Sequence, residues 1–183
     1  MTKDDAAKIA PEFRKVQSRQ EYGAKARLEG VQLVDLKRFV DDGGDFQELG
    51  RVDEKGELLA FPGFKVRQVN YSAMQSGTVK AWHLHHRQED LWFVPPTSRV
   101  LVGLLDCREG SPTKGQTMRL VMGDGRSQLL HIPRGVAHGA KNLAAGEGVI
   151  VYMVNQHFSA TDPDEHRLPW DHVGKEFWDV TKG

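Results

Sequence analysis

Short apolar segments separated by turn sequences run through most of this 183-residue chain. Sequences rich in Gly, Pro and Asp stand between them, such as DDGGD at 41–45 and GDGRS at 123–127. Segments of this length, alternating or continuously apolar, are typical of β-strands. The density of strands and turns predicts an all-β antiparallel sandwich or barrel with helices only at its ends. The eight segments span residues 31–40, 64–74, 77–85, 90–94, 98–107, 117–122, 127–133 and 147–155.

Composition gives no sign of a polymeric or membrane partner. Lys plus Arg equals Asp plus Glu, at 25 each, so we expect neither nucleic acid nor an anionic membrane as partner. No apolar run approaches the roughly 20 residues that a membrane span requires, and the start MTKDDAAKIAPEF lacks the pattern of a signal peptide. The single cysteine excludes an internal disulfide framework. We therefore expect a cytoplasmic protein that acts on a small molecule.

The distribution of residue types along the chain predicts one domain with an N-terminal arm. Residues 1–28 are charged, contain several alanines and have no β-branched run, which favours a helical or irregular arm. Residues 29–183 contain all the strand-like segments and are predicted to form a single barrel with a C-terminal extension. The polar tail with two isolated tryptophans is predicted to pack as irregular structure and a short helix.

The sequence KAWHLHHRQED at 80–90 places three histidines close together. Because side chains alternate along a strand, His83 and His85 share one face, about 7 Å apart, whereas His86 faces the other side. Glu89 follows where the next strand must begin. Antiparallel pairing could bring His138, presented by a Pro-x-Gly turn, opposite the first two histidines. These residues are candidates for a common site.

The two histidine segments resemble the motifs of the cupin superfamily. That resemblance implies a cupin-type jelly-roll β-barrel. Three histidines and a glutamate suit Fe, Mn, Ni, Cu or Zn, so a metal site made by His83, His85, Glu89 and His138 is one interpretation. The alternative is that these are polar residues at the mouth of a barrel without an ion. The matching positions are Gly77, His83, His85 and Glu89 in the first motif, and Pro133, Gly135, His138 and Asn142 in the second.

A longer resemblance covers residues 30–171. The order of GVQLVDLKRFVDDGGDFQE, VRQVNYS, the histidine strand, CREGSPTKG, IPRGVAHG and a late tyrosine is similar to that of the dTDP-4-dehydrorhamnose 3,5-epimerase family. This resemblance implies proton abstraction beside a ketone by a histidine and reprotonation on the opposite face by a tyrosine, without a cofactor. A histidine suits the first role because its ordinary pKa of about 6.5 is near neutral pH.

The resemblance also implies residue roles. The base would be His83 and the acid Tyr152, and His138 would contact the substrate near the enolate oxygen, where a donor stabilises developing charge. The remaining positions that the resemblance assigns to the substrate are Glu48, Gln68, Asn70 and Lys80.

Several positions depart from the family pattern. Gly43 replaces a diphosphate-binding arginine, and Lys80 replaces an arginine, which loses the bidentate fork. A family lysine falls near Asp90 or Leu91, so its positive charge is missing. The chain is also expected to end before the C-terminal carboxylate that pairs with the base.

Three functions are consistent with these residues. The first is an epimerase or isomerase of a keto-sugar, either free or nucleotide-linked. The second is a metal-dependent cupin enzyme, an oxygenase or isomerase, and the third is a barrel that binds sugar without catalysis. The family resemblance favours the first and implies a homodimer formed by exchange of N-terminal strands.

Overall fold

The computed structural model describes residues 7–19 and 27–180. The described part of the N-terminal arm contains one short helix, α1 (Pro11–Arg14), which starts at a proline, as the missing N–H permits. A 3-10 helix follows the last strand at Lys175–Trp178. None of the helices in these two ranges is long and apolar enough to cross a membrane. The strands are β1 (Gln32–Asp35), β2 (Arg38–Asp41), β3 (Gly44–Gln47), β4 (Gln68–Met74), β5 (Val79–Leu84), β6 (Asp90–Phe93), β7 (Arg99–Asp106), β8 (Thr117–Gly123), β9 (Gln128–Ile132), β10 (Val136–Asn142), β11 (Gly148–Val154) and β12 (His166–Arg167).

Two five-stranded antiparallel sheets form the barrel. The first sheet has the order β1-β9-β6-β11-β4, and the second has the order β12-β5-β10-β7-β8. The predicted strand over 31–40 is divided, because β2 leaves the first sheet and pairs with β3 in a separate hairpin. The prediction of a jelly-roll barrel with helices only at the ends is confirmed for the described residues. The ranges 1–6 and 20–26 of the predicted arm lie outside them.

Buried side chains lie between the sheets and also on their outer faces. Val102, Leu104 and Leu130 belong to the core between the sheets. Outside the first sheet, Leu91 and Phe93 pack against residues of the 49–66 loop. Outside the second, Trp82 packs against Trp178 of the tail, with ring centroids 5.0 Å apart. Both faces of the central strands are therefore covered, and alternation along each strand decides which layer a side chain enters.

A buried carboxylate fastens the loop after β7. The Asp106 side chain is fully buried and accepts hydrogen bonds from Arg108 Nε at 2.9 Å, Ser111 Oγ at 2.5 Å and Thr113 Oγ1 at 2.6 Å. The Arg108 hydrogen bond is the largest cause that holds the pKa of Asp106 well below its ordinary value; burial opposes it. The GSPT segment is thus held by one ionised group.

Asp106→Asn is expected to lower the free energy of unfolding by about 3 kcal/mol at neutral pH, because it breaks a buried ion pair. Because the folded-state pKa of Asp106 is lowered, its carboxylate stabilises the native state above the ordinary aspartate pKa of about 4, and this contribution declines as the pH falls from that value toward the folded-state pKa. Urea unfolding between pH 7 and pH 3 should therefore show a smaller loss of unfolding free energy in the variant than in wild type. Glu109→Gln, which alters an exposed pair with Lys114, is the control. Equal acid loss in Asp106→Asn and wild type would contradict this role.

Candidate active site

A cavity of about 180 Å³ lies between the two sheets. The first sheet contributes Asp90 and Trp92 from β6 and Tyr152 from β11, and the second contributes His83 from β5 and His138 from β10. The segment after β11 adds Phe158 and Glu165 at the opening. The predicted candidates His83, His138 and Tyr152 therefore meet in one cavity.

His83 is held between a carboxylate and a guanidinium. Its Nδ1 lies 2.5 Å from Glu165 Oε1, and its Nε2 lies 3.0 Å from Arg167 Nη1. Because a guanidinium only donates, Nε2 is the bare nitrogen and Nδ1–H donates to Glu165. Burial raises the pKa of Glu165, but the hydrogen bond from His83 and the electrostatic effects of His83, His85 and Arg167 outweigh it and lower the pKa. This arrangement fixes one tautomer of the imidazole.

His138 pairs with His83 across the strands, as predicted. Their positions are opposite each other in the β5–β10 register, and their rings stack with centroids 5.9 Å apart. Its Nδ1–H donates to the Val136 carbonyl at 3.1 Å. Burial is the largest cause that lowers the pKa of His138 to about 4, and His85 and His83 lower it further. Asp90 opposes this effect. His138 is therefore neutral near pH 7.

His85 turns toward a carboxylate that the sequence motif did not indicate. Its Nδ1–H donates to the Asp164 carbonyl, and its Nε2 lies 4.0 Å from Asp90 Oδ1. The Asp90 oxygens also accept hydrogen bonds from Gln88 Nε2 at 2.8 Å and Trp92 Nε1 at 3.0 Å. His138 Nε2 lies 3.6 Å from Asp90 Oδ2. Among the described residues, His85, Asp90 and His138 could hold a metal ion, because their ligand atoms lie within 4.8 Å of one another.

Glu89 lies away from the three histidines, so the structure does not assemble the ligand set that includes it. It lies 3.1 Å from His131 Nε2, in a separate cleft lined by Phe61 and Phe64. The physical reason is strand alternation: Asp90 and Trp92 enter the cavity, and Glu89 shares the opposite face with Leu91. His86 also faces away, as expected, and stacks on His166 at 4.2 Å.

Tyr152 faces the cavity from the first sheet. It lies opposite Trp92 in the β6–β11 register, with ring centroids 6.4 Å apart. Burial, followed by the negative charges of Asp90 and Glu165, raises the pKa of this half-buried phenol. Its hydroxyl therefore keeps its proton at neutral pH and can donate it.

The predicted substrate contacts are divided between the cavity and the surface. Gln68 and Asn70 line the cavity and are joined by a 2.6 Å hydrogen bond. Lys80 also lines it, with Nζ 2.9 Å from the Ala73 carbonyl. Glu48 lies outside and pairs with Arg51 at 2.8 Å. Within one chain, Glu48 therefore does not reach the cavity.

The expectation that the chain lacks a carboxylate partner for the base is wrong. Glu165 fills that position, because the two-residue strand β12 pairs Arg167 with His83 and draws the tail over the cavity. The sequence comparison places Asp90 or Leu91 near a family lysine position without deciding between them. Asp90 is the one that lines the cavity, and Leu91 packs on the other face of β6. Because β6 is buried on both faces, alternation alone does not make this choice.

Glu165→Gln is expected to lower kcat by about 10²-fold with little change in KM, if His83 acts as a base. The substitution keeps the size of the side chain but removes the charge that fixes the tautomer and stabilises an imidazolium. Steady-state kinetics checks this split between kcat and KM. Glu89→Gln, made in the separate cleft, is the matched control. A change in KM alone would contradict a role in positioning His83.

A bare, oriented imidazole on one wall and a protonated phenol on the other equip this jelly roll for proton transfer, so the fold and site define a cupin-type barrel enzyme. Residues 25–175 match the family model described as dTDP-4-dehydrorhamnose 3,5-epimerase. The chain belongs to that family of sugar epimerases. This supports the epimerase interpretation rather than the metal-dependent oxygenase or the non-catalytic barrel.

Three similar proteins agree with this assignment. The spore coat polysaccharide biosynthesis protein SpsL of Bacillus subtilis (strain 168) is 42% identical over 79% of this chain and 91% of the relative. The probable low-salt glycan biosynthesis epimerase Agl13 of Haloferax volcanii is 36% identical over 79% of this chain and 89% of its own length. The 3,5-epimerase of Legionella pneumophila Philadelphia 1, solved with dTDP-4-keto-L-rhamnose, is 25% identical with a TM-score of 0.67, covering 78% of this chain and 74% of that one.

Proposed function

We propose that this enzyme inverts a carbon beside the ketone of a dTDP-linked 4-keto sugar, with His83 as the base and Tyr152 as the acid. The observation that carries the proposal is their placement on opposite walls of one cavity, His83 on the second sheet and Tyr152 on the first. A substrate carbon between two such walls can lose a proton from one face and gain one on the other. Inversion requires that geometry.

The proton leaves the carbon for the bare Nε2 of His83. In the free protein, Arg167 donates a hydrogen bond to this Nε2 at 3.0 Å. The substrate displaces Arg167 for this step. The imidazolium that forms is stabilised by Glu165 at 2.5 Å. The electron pair of the broken C–H bond moves onto the ketone oxygen as an enolate. Tyr152 then gives its hydroxyl proton to the opposite face, and proton exchange with solvent restores both side chains, so neither transfer requires an organic cofactor.

Polar residues at the cavity wall are suited to hold the rest of the substrate. Gln68 and Asn70 offer amide groups, and Lys80 offers a positive charge toward a diphosphate. Phe158 is 68% exposed at the opening, where a nucleotide base can stack. The dTDP group is proposed because the Legionella relative is solved with dTDP-4-keto-L-rhamnose. We place the enzyme in the cytoplasm, with no nucleic-acid partner.

The proposal is tested with dTDP-4-keto-L-rhamnose and with dTDP alone. The enzyme should convert the first into an epimer detectable by NMR, and dTDP should raise the melting temperature. Ligand at 100 times its Kd stabilises the native state by about 2.7 kcal/mol. UDP at the same concentration is the control. No epimer formation would contradict the proposed reaction, and no response to dTDP would contradict the nucleotide.

We also propose a homodimer. Apolar side chains are exposed on the β2–β3 hairpin, where Phe39, Val40 and Phe46 are 49%, 71% and 65% exposed, and on the edge strand β4, where Val69 is 60% exposed. An edge strand with apolar neighbours is a surface for pairing with a second copy. Light scattering should give twice the 20.5 kDa chain mass, and Phe46→Glu with Val69→Glu should give a monomer. A monomeric wild type at micromolar concentration would contradict the dimer.

A further inference from the structure

Three buried side chains converge at one end of the cavity in a pattern that proton transfer alone does not use. His85, Asp90 and His138 are 6%, 2% and 2% exposed. The Asp90 carboxylate lies 4.0 Å from His85 Nε2 and 3.6 Å from His138 Nε2. All three ligand atoms lie within 4.8 Å of one another. We propose that these residues bind a divalent transition-metal ion.

The hydrogen bonds around the two histidines use their outer nitrogens. His85 Nδ1 faces the carbonyl of Asp164, and His138 Nδ1 faces the carbonyl of Val136. A carbonyl only accepts, so each Nδ1 carries a hydrogen and Nε2 is the nitrogen through which each imidazole can bind an ion. Metal-binding histidines almost always have this arrangement, because the second nitrogen donates to a carbonyl or carboxylate.

Asp90 presents a third acceptor to the same point. Both of its oxygens already accept hydrogen bonds, from Gln88 and from the Trp92 indole, and these donors orient the carboxylate. The inward-facing atoms are therefore two imidazole nitrogens and a carboxylate, and a second carboxylate oxygen, Glu165 Oε2, lies 3.8 Å from His85 Nε2. Buried carboxylates are normally paired or bind a metal, and an ion at this point is within reach of His85, Asp90 and His138.

The donor set indicates the kind of ion. Two imidazoles and one carboxylate suit Fe²⁺, Mn²⁺, Co²⁺, Ni²⁺ or Zn²⁺, and three protein ligands leave coordination positions open toward the cavity. Mg²⁺ and Ca²⁺, which prefer oxygen ligands throughout, fit less well. Glu89 is not a ligand, because it lies in the separate cleft with His131.

The charges of the cavity give the ion a role, which rests on the epimerase function proposed above. Two carboxylates, Asp90 and Glu165, reach the cavity wall. Glu165 is paired with Arg167 at 2.9 Å, whereas the ion-pair neighbours of Asp90 among the described residues are histidines. An enolate formed there would be opposed by Asp90. A bound cation offsets Asp90 and stabilises negative charge on the substrate oxygen.

The test uses untagged protein stripped with a chelator and titrated with Co²⁺ alone. Calorimetry and visible absorption should show one ion per chain with a dissociation constant in the micromolar range or tighter. His85→Ala and Asp90→Asn should each weaken binding at least 100-fold. Glu89→Gln, one residue from Asp90 in sequence but in the other cleft, should bind as wild type does. Circular dichroism checks that each variant is folded. If one of the two ligand variants does not fold, the other still tests the site.

Wild-type binding weaker than about 1 mM, or equal binding by Asp90→Asn and wild type, would overturn the inference. Turnover of dTDP-4-keto-L-rhamnose by the same stripped samples separates the two proposals. Turnover without metal binding leaves the epimerase intact and refutes the ion. Metal binding that depends on His85 and Asp90 without any turnover supports the site and refutes the reaction.

Discussion

Replacement of His83 by alanine is expected to lower kcat for epimerisation by about 10³-fold, within the range typical of a lost general base. The variant removes the bare Nε2 that would accept the carbon-bound proton and leaves the other cavity residues in place. Substrate binding should change little, because Gln68, Asn70 and Lys80 remain. Product formation followed by NMR measures kcat, and the thermal shift with dTDP measures binding.

His86→Ala is the matched control for this experiment. His86 is three residues from His83 but stacks on His166 outside the cavity, so its removal should change kcat by less than about twofold. A His83→Ala enzyme that retains more than about a tenth of wild-type kcat would contradict the role of His83 as base.

Tyr152→Phe is expected to lower the rate of inversion by about 10²-fold while hydrogen exchange at the same carbon continues. The phenyl ring keeps the packing against Trp92, but the hydroxyl proton is lost. His83 can still remove the substrate proton and return one to the same face. The ratio of exchange to inversion, measured in D₂O, should therefore rise well above the wild-type ratio.

Tyr71→Phe is the control for the loss of a hydroxyl. Tyr71 lies on β4, where it pairs with Val151, and is 65% exposed on the outside of the barrel. It is two residues from Val69 on the proposed dimer surface, so light scattering of this variant must give the wild-type mass. Both rates should stay at wild-type values in this variant. An unchanged rate of inversion in Tyr152→Phe would contradict the assignment of Tyr152 as acid.

The strands and the histidine core of the site could be predicted from sequence because both follow local rules. Turn residues delimit the strands, and alternation puts His83 and His85 on one face. The Pro-x-Gly turn places His138 at the start of β10, from which antiparallel pairing brings it to His83. The pairing of His83 with His138 therefore follows from the positions of the two residues in their strands.

The carboxylates were assigned wrongly because their positions depend on long-range packing. Motif spacing indicated Glu89, but β6 is buried on both faces, so alternation does not say which face meets the cavity. Glu165 belongs to a tail with no periodicity, and only β12 places it beside His83. No local pattern identifies a residue that acts 82 positions away.

Deuterium incorporation by the wild-type enzyme tests the central claim most directly. Epimerisation of dTDP-4-keto-L-rhamnose in D₂O should yield product that carries deuterium at the inverted carbon, because the incoming proton comes from a solvent-exchangeable tyrosine hydroxyl. Product that forms while retaining its original carbon-bound hydrogen would contradict removal of that proton by His83 and delivery of a solvent-derived one by Tyr152.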